Sequence, residues 1–405
     1  MVTTQVSNPV PSQTSQPGPR LLRAITLQRL LSFGPETETL ELRGLNVFIG
    51  PNGSGKSNLL EAVALLRAAP SDLRAVIRRG GGVGEWVWKG DPQGVATIDA
   101  VVENPHGAQP LRHVLAFRAE QQAFRLEDER IENEHPYSGK PTPYFYYRYQ
   151  HGQPVIFLKD AERPLARESV ELDVSILAQR RDPETYPVIT DLATAYNRIR
   201  LYREWAFGHN TVFREPQKTD LPADRLEEDF SNLAMFLNRL RRHPKAKVAL
   251  LTALRDLYDG LTDFDVRVES GTVQVFFTEG EFTIPATRLS DGTLRYLCLL
   301  AILCDPEPPP LIGIEEPELG LHPDILPKLA DLLVAASERT QLLVTTHSDV
   351  LVDALTERPE SIVVCEKHAG QTRMQRLDNE RLAHWLANYR LGELWTRGEL
   401  GGTRW

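Results

Sequence analysis

Three cysteines, no long apolar run and no excess of positive charge are the absences that narrow this 405-residue chain. Cys298, Cys304 and Cys365 are odd in number, carry no C-x-x-C spacing and sit in apolar segments. They read as reduced core residues, and neither a disulfide framework nor a zinc site is expected. No stretch approaches the roughly 20 consecutive apolar residues that cross a bilayer. The first residues also lack the basic-then-apolar order of a signal peptide, so a cytoplasmic protein with no membrane partner is the expectation. A formal net charge of −9 argues against a chain that coats nucleic acid through a globally basic surface, because phosphate neutralisation supplies most non-specific affinity. Local basic clusters are present in Arg78-Arg79, in Arg180-Arg181 and above all in Arg239-Leu240-Arg241-Arg242-His243-Pro244-Lys245-Ala246-Lys247. The last run reads first as a solvated helix end, with cations near the negative pole of its dipole, and second as a nucleic-acid contact.

What is present is ordinary globular material. Hydrophobic residues make up 41% and charged residues 25% of the chain, and the length allows two or three lobes of roughly 100–200 residues each. Residues 1–20 are rich in Ser, Thr and Pro with little to bury, which predicts a flexible tail. Strand patterns follow at 22–31, 37–42 and 44–49, then a helix over 57–68. From about 80 to 172 short β-like stretches dominate (95–102, 112–118, 123–126, 144–149 and 154–158), separated by turn signals such as His151-Gly152. They predict an antiparallel sheet. The aromatic run Tyr144-Phe145-Tyr146-Tyr147-Arg148-Tyr149 suits sheet packing before base stacking, because alternate side chains of a strand face opposite sides. Between about 188 and 260 the spacing turns helical, with Leu192, Tyr196, Ile199 and Tyr202 on one face and Leu226, Phe230, Leu233, Phe236, Leu237 and Leu240 on another. A helical arm or lid is expected there, and His243-Pro244 interrupts it too soon for a long coiled coil. The expected division is a tail (1–20), an N-terminal lobe (21–175), a helical insertion (176–262) and a C-terminal lobe (263–405).

The most informative motif is Val47-Phe48-Ile49-Gly50-Pro51-Asn52-Gly53-Ser54-Gly55-Lys56-Ser57, an apolar run followed by G-x-x-x-x-G-K-S. Glycines at 50, 53 and 55 permit backbone torsions that turn successive N–H groups onto phosphate oxygens. Lys56 would reach the β- and γ-phosphates, Ser57 would offer its hydroxyl to Mg²⁺, and the helix that follows, opening on Ser57 and Asn58, would point its positive end at the anion. A glycine-rich turn that merely caps a helix is the competing reading.

Further along, Pro310-Leu311-Ile312-Gly313-Ile314-Glu315-Glu316-Pro317-Glu318 reads as a buried strand ending in carboxylates. Glu315 is placed to hold the Mg²⁺ shell directly or through water, and Glu316 to polarise an attacking water. Gln341-Leu342-Leu343-Val344-Thr345-Thr346-His347-Ser348 is a second buried strand, ending in a histidine that in isolation would read as structural. Arg288-Leu289-Ser290-Asp291-Gly292-Thr293-Leu294-Arg295 opens an apolar helix at a polar turn, which alone would be an ordinary cap.

Taken together, the phosphate loop, L-S-D-G-T, the strand running into E-E-P-E-L-G-L-H-P, and T-T-H-S resemble the ATP-binding-cassette ATPases of the SMC and RecF-like branch, among AAA-type ATPases related to the overcoming-lysogenisation-defect proteins. The resemblance covers about 21–365 and is strong in the four motifs. It implies an α/β ABC-ATPase head with a P-loop NTPase core sheet, an antiparallel β subdomain and a helical insertion. It also implies ATP and Mg²⁺ as ligands and a head-to-head homodimer sandwiching two nucleotides. Ser290 and Gly292 would contact the γ-phosphate held by the partner's 50–57 loop, residues 317–322 would cross the interface, Glu316 would be the catalytic carboxylate and His347 would sense the γ-phosphate. Phosphoryl transfer asks for this kind of positioning and charge neutralisation more than for covalent chemistry.

This chain departs from the family pattern at Glu315, where Asp is frequent, and the extra methylene favours Mg²⁺ contact through water. The glutamine that links nucleotide to the lobe between motifs has one candidate, Gln93. The stretch after His347 is expected to be too short for the metal-binding toprim domain of the related nucleases, and the E-E-P-E-L-G-L-H-P form disfavours a transporter subunit. The ending Leu391-Gly392-Glu393-Leu394-Trp395 through Gly398-Glu399-Leu400-Gly401-Gly402 is typical of the same group and has no role assigned by its chemistry. The expected function is an ATP-switched dimeric ATPase acting on DNA or a DNA-associated effector in genome maintenance or antiphage defence. The alternative is a regulatory ATP-binding subunit that controls a separate nuclease or toxin effector.

Overall fold

A computed structural model describes residues 19–402, apart from 151–152, 159–160, 166–169, 207, 209–210 and 212–213. The tail expected at the start of the chain lies, up to residue 18, outside the described residues, as does the His151-Gly152 turn. The chain enters through β1 (Leu22–Gln28), β2 (Leu40–Glu41) and β3 (Leu45–Ile49), followed by the helices α1 (Lys56–Ala68), α2 (Leu73–Arg79) and α3 (Val83–Trp86). Six antiparallel strands come next, β4 (Ala96–Val102), β5 (Leu111–Glu120), β6 (Ala123–Asn133), β7 (Phe145–Gln150), β8 (Gln153–Leu158) and β9 (Ala161–Pro164). With β1 and β2 they make the expected antiparallel sheet, in the order β2-β1-β4-β5-β6-β7-β8-β9. The aromatic run lies in and beside β7: Tyr147 and Tyr149 are buried, and Tyr144 meets Tyr146 and Phe157 edge to face at 5.0 and 4.7 Å. That is sheet packing.

The middle of the chain holds α4 (Ile176–Gln179), α5 (Pro187–Asn197), β10 (Arg200–Tyr202), β11 (Gln217–Lys218), α6 (Leu233–Leu240), α7 (Pro244–Leu257), β12 (Leu261–Glu269), β13 (Thr272–Glu279) and β14 (Phe282–Pro285). Helices do occupy the expected insertion, but the single face drawn through Leu192, Tyr196, Ile199 and Tyr202 breaks after Asn197. Residues 200–202 form an edge strand parallel to a strand of the core sheet. The cause is burial on both sides: Ile199 and Leu201 enter one hydrophobic core and Tyr202 the other, a period of two that at this spacing imitates a helix. The second expected face also shortens, because Phe230 adopts φ 59° and turns the chain before α6 begins. Within the basic run Arg239 pairs with Asp305 (2.6 Å), Lys247 with Asp263 (2.7 Å) and Arg241 with Asp265. Much of its charge is thus matched by carboxylates of the same chain.

The last third supplies α8 (Asp291–Leu303), β15 (Leu311–Glu315), α9 (Leu326–Ser337), β16 (Gln341–Thr345), α10 (Asp349–Ala354), β17 (Ile362–His368), β18 (Gln371–Arg376), α11 (Asn379–Leu386) and α12 (Leu391–Thr396). The core sheet runs β10-β15-β16-β3-β17-β18, parallel except for the β17–β18 hairpin. Both of its faces are covered, which is why its strands read as unbroken apolar runs. Val47 and Ile49, Leu342 and Val344, and Ile312 and Ile314 point into the core shared with α6 to α9, whereas Phe48, Leu343 and Leu311 point into the core shared with α1, α5 and the antiparallel sheet. Fully buried Gln341 fastens the two sheets, its Oε1 accepting from the Leu22 amide at 2.9 Å and its Nε2 donating to the Leu22 carbonyl at 2.7 Å. Parallel order brings the C-terminal ends of β3, β15 and β16 to one edge, where the loops that follow them meet. Cys298, Cys304 and Cys365 are buried and free, as expected.

Candidate nucleotide site

The loop from Gly50 to Gly55 leaves β3 at that edge and feeds α1. Gly50 (φ 144°) and Gly55 (φ 100°) take torsions that side chains disfavour, and neither has room for one: a Cβ on Gly50 would overlap the Cys365 carbonyl, and one on Gly55 the Thr372 hydroxyl. Gly53 (φ 77°) meets nothing and faces outward with Asn52, while Pro51 closes the turn by accepting from the Ser54 amide at 3.2 Å. A hydroxyl chain braces the loop from behind. Asn58 Nδ2 donates to Ser32 Oγ (2.6 Å), Ser32 Oγ lies 2.6 Å from Thr372 Oγ1, and Thr372 Oγ1 donates to the Ser54 carbonyl (2.8 Å).

Two groups in the loop are suited to binding an anion. The Ser54 hydroxyl is buried with no hydrogen-bond partner among the described residues. Lys56, only 5% exposed, folds its ammonium back onto the carbonyls of Gly50 (2.7 Å) and Pro51 (3.1 Å). Burial lowers the Lys56 pKa, with Glu316, Glu315 and Glu318 among the groups opposing the shift. A buried cation whose hydrogen bonds among the described residues are to loop carbonyls is placed to exchange them for phosphate oxygens.

Ser57 faces β15. Its hydroxyl donates to Glu315 Oε1, joining positions 258 residues apart. A hydroxyl beside a carboxylate is a hard-oxygen donor pair, and no cluster of three or more His, Cys, Asp or Glu suited to a metal occurs among the described residues. That set fits Mg²⁺, which takes few protein ligands and keeps its waters, and does not fit a transition metal. Glu315 Oε2 is occupied by Arg203 Nε at 2.9 Å, and Arg203 Nη1 also reaches Glu61 Oε1 at 2.8 Å. Burial opposes the charge on Arg203, but the hydrogen bond to Glu315 and the Glu61 contact outweigh it and raise its pKa.

Glu316 sits just past β15 with φ 46°, a left-handed torsion that costs a non-glycine residue on the order of 1–3 kcal/mol. Its amide donates to the Thr345 carbonyl (3.0 Å) and its carbonyl accepts from Arg295 Nη2 (2.9 Å), so α8 and β16 both hold the strained turn. The turn aims the carboxylate at His347, with Oε1 3.3 Å from His347 Nε2. Burial first, then the Lys56 ammonium, push the imidazole below its ordinary pKa against the pull of Glu316, so His347 is mainly neutral at pH 7.

The structure thus brings Lys56, Ser57, Glu315, Glu316 and His347 to one sheet edge. It does not bring Ser290 and Gly292 there: no hydrogen bond among the described residues joins them to the chain's own 50–57 loop. Ser290 caps α8, accepting from the Thr293 amide at 3.1 Å, and a Cβ on Gly292 would lie 3.0 Å from the Gly320 carbonyl. The turn therefore abuts residues 317–322 and opens outward, with Ser290 and Leu319 exposed. Gln93 lies exposed in the turn before β4.

Four site residues escaped sequence reasoning. Glu318 accepts from the Thr346 hydroxyl and the His347 amide, both at 2.7 Å, and burial raises its pKa. It is the group that seats the histidine turn, and its place in E-E-P-E was the available signal. Arg203 and Trp205 follow the misread strand β10, and the Trp205 indole N–H donates to the Glu315 carbonyl at 2.8 Å. Arg295 lies over the Trp205 ring at 4.5 Å, its guanidinium pulled down to about 10 by burial. No local pattern marks these three.

Comparison with known proteins gives the fold and the family. Over 100 residues the chain is 35% identical to the chromosome partition protein Smc of Desulfitobacterium hafniense (strain Y51), a match covering 24% of this chain and 8% of that protein. Over 125 residues it is 30% identical to the Smc of Rhodopirellula baltica, covering 27% and 10%. The chain thus matches a tenth or less of the length of these curated relatives. Among solved structures, an SmcHead bound to the C-winged helix domain of ScpA superposes with a TM-score of 0.55 at 15% identity, covering 89% of this chain and 99% of that one. A Pyrococcus furiosus Smc head domain with an extended coiled coil, bound to the C-terminal domain of ScpA, gives 0.55 at 14% identity, covering 91% and 98%. These likenesses establish the fold of an Smc head. Residues 45–353, most of the chain and every motif of the site, match the family described as "AAA domain, putative AbiEii toxin, Type IV TA system", and the chain belongs to that family, within the SMC- and RecF-like ABC class of AAA ATPases.

Proposed function

We propose that this chain binds and hydrolyses ATP and that it does so as a head-to-head homodimer with two nucleotides in the interface. The observation that carries the reading is the split of the motifs: Ser57–Glu315 and Glu316–His347 pair at one edge, while exposed Ser290 and its neighbour Gly292 make no hydrogen bond to their own 50–57 loop among the described residues. Gly50, Pro51, Asn52, Gly53, Ser54, Gly55 and Asn58 form and brace the cradle for the phosphates, and Lys56 neutralises them. Ser57 and Glu315 would hold Mg²⁺, which would offset phosphate charge. Arg203 on Glu315 Oε2 supports contact through water, since only one carboxylate oxygen is free of a cation. Glu316 accepts the proton of the attacking water, and neutral His347 donates to the γ-phosphate. Ser290 and Gly292 complete the site of the partner copy.

Ser290→Arg tests the shared site. The variant should bind MgATP as the wild type does yet stay monomeric in sedimentation, because the guanidinium would project into the opposing phosphate loop. A dimer that forms with ATP in this variant would remove Ser290 from the interface.

The dimer's target is DNA or a DNA-associated effector, in keeping with the chromosome-partition role named for the Smc relatives. No helix among the described residues is long and apolar enough to cross a membrane, and a cytoplasmic location suits either target. A second reading, a regulatory subunit that controls a separate nuclease or toxin, gains support from the internal pairing of the main basic run and from the toxin named in the family description. Titration with double-stranded DNA at two salt concentrations separates them. Binding that strengthens with ATP and weakens with salt favours DNA, and no binding even at low salt favours the effector.

A further inference from the structure

The segment from Arg390 to Gly402 contains the one motif for which sequence chemistry offers no role, and it reaches the helix after His347 at one end and the phosphate loop at the other. At its start Arg390 Nε donates to Asp353 Oδ2 (2.6 Å) and Nη2 to the Asp353 carbonyl (3.0 Å), and the Leu391 amide donates to Thr356 Oγ1 (3.1 Å). A Cβ on Gly392 would lie 2.5 Å from the Asp349 carbonyl and 2.8 Å from Asp353 Cβ, so α12 lies directly on α10. Ser348, the residue after His347, is the N-cap of α10. At the other end Gly402 is buried with φ 68°. Its amide donates to Glu366 Oε1 (2.8 Å) and its carbonyl accepts from the Trp395 indole N–H (3.3 Å). A Cβ there would stand 2.9 Å from Val364 Cγ1 and 3.3 Å from the α-carbon of Gly50, the first glycine of the phosphate loop.

Gly50 is therefore gripped on two sides, by the Cys365 carbonyl and by Gly402. Leu391, Leu394, Trp395 and Leu400 anchor the segment between its two contacts in the hydrophobic core. Glu366 is itself fixed, with Oε2 3.0 Å from His368 Nε2. Hydrogen bonds from Gly402 first and His368 second hold the Glu366 carboxyl below its ordinary range, so it is an anionic acceptor at neutral pH. One anchored piece of chain thus contacts both the phosphate loop and the helix that follows the histidine.

Building on the nucleotide reading above, we propose that Arg390–Gly402 is a positioning strap: Gly402 sets the phosphate loop through Gly50, and Arg390 and Gly392 set His347 through α10. These are positioning residues, not catalytic ones. A side chain at Gly402 is strained by the φ of 68° and crowds Val364 and Gly50, so Gly50 must give by a few tenths of an ångström and the loop N–H groups tilt with it. Because displacements of about 1 Å at such a site cost on the order of 100-fold in rate, a shift of a few tenths of an ångström is expected to cost about 10-fold. The two ends act on different quantities. The Gly402 contact governs affinity for any nucleotide, and the Arg390 contact governs turnover, since His347 faces only the γ-phosphate.

The test uses the full chain, with MgADP and MgATP affinities from calorimetry, steady-state ATPase rates, and melting temperature without nucleotide. Gly402→Ala should weaken MgADP and MgATP binding alike, by about 10-fold or more. Gly370→Ala is the control: Gly370 has a similar torsion (φ 80°) in the β17–β18 turn with nothing near its Cβ, so this variant should melt lower yet bind as the wild type does. Arg390→Ala should keep MgADP affinity within about 2-fold and lower kcat. If Gly402→Ala does not fold, Trp395→Phe decides, since it keeps an aromatic side chain in the core while removing the hydrogen bond to Gly402 together with part of the buried indole, with a few-fold loss of MgADP affinity expected. Wild-type affinity in folded Gly402→Ala, or in Trp395→Phe where that variant decides, overturns the strap alone. A wild-type chain that binds neither nucleotide overturns the nucleotide reading and the strap with it.

Discussion

Lys56→Ala should abolish detectable MgATP binding. The ammonium is buried, hydrogen-bonded to the carbonyls of Gly50 and Pro51, and poised to exchange them for phosphate oxygens. A charge-assisted hydrogen bond to phosphate is worth about 1.5–3 kcal/mol, and Lys56 would make more than one, so a loss of roughly 100- to 1,000-fold in Kd is expected. The fold should survive. Burial depresses the Lys56 pKa, so between its folded and unfolded values the unfolded chain binds more protons, and nucleotide-free stability rises as pH climbs through that window. Lys56→Ala should flatten that rise without unfolding the protein at neutral pH. Calorimetric titration with MgATP, alongside melting curves from pH 7 upward, checks both halves. Unchanged nucleotide affinity would remove Lys56 from the site.

Glu316→Gln should separate binding from turnover. The amide keeps the length of the side chain and the backbone contacts to Thr345 and Arg295, so the left-handed turn at 316 persists. What it loses is the ability to take a proton from water, a contribution of about 100- to 10,000-fold in general base catalysis. A kcat at least 100-fold below wild type with nucleotide affinity intact is the expected result, and single-turnover assays should show ATP retained unhydrolysed. Wild-type turnover would assign the base elsewhere. Because Oε1 of Glu316 and Nε2 of His347 lie 3.3 Å apart, His347→Ala combined with Glu316→Gln should cost less than the product of the two single effects.

Much of this site could be read from the sequence because its parts lie at the ends of buried parallel strands. Val47-Phe48-Ile49, Leu311-Ile312-Gly313-Ile314 and Leu342-Leu343-Val344 are apolar on both faces, so each announces itself as a run, and each stops where polar chemistry begins. The antiparallel sheet was legible for the opposite reason, since its strands alternate between a covered and a freer face, as along β4.

The residues that escaped are those whose role depends on contacts far apart in the chain. Tyr202 falls at a helical interval from Tyr196 and Ile199, yet burial on both sides of a sheet edge makes its segment a strand. That misreading hid Arg203 and Trp205, whose partner Glu315 is more than a hundred positions away. Glu318 looked like part of an interface loop, and its hydrogen bonds to Thr346 and His347 exist only because β15 and β16 are neighbours. Gly402 carries no local signal, because what it packs against, Gly50, lies more than three hundred positions away in the chain. Arg239, Arg241 and Lys247 illustrate the reverse: a run of cations that invites a nucleic-acid reading is largely matched by Asp305, Asp265 and Asp263.

The central claim is that the Gly50–Ser57 loop is half of a site whose other half is the Ser290–Gly292 turn of a second copy. Sedimentation of Glu316→Gln with and without MgATP tests it most directly. The account predicts a monomer without nucleotide and a stable dimer retaining two ATP molecules with it. A chain that binds ATP and sediments as a monomer at every concentration would contradict it.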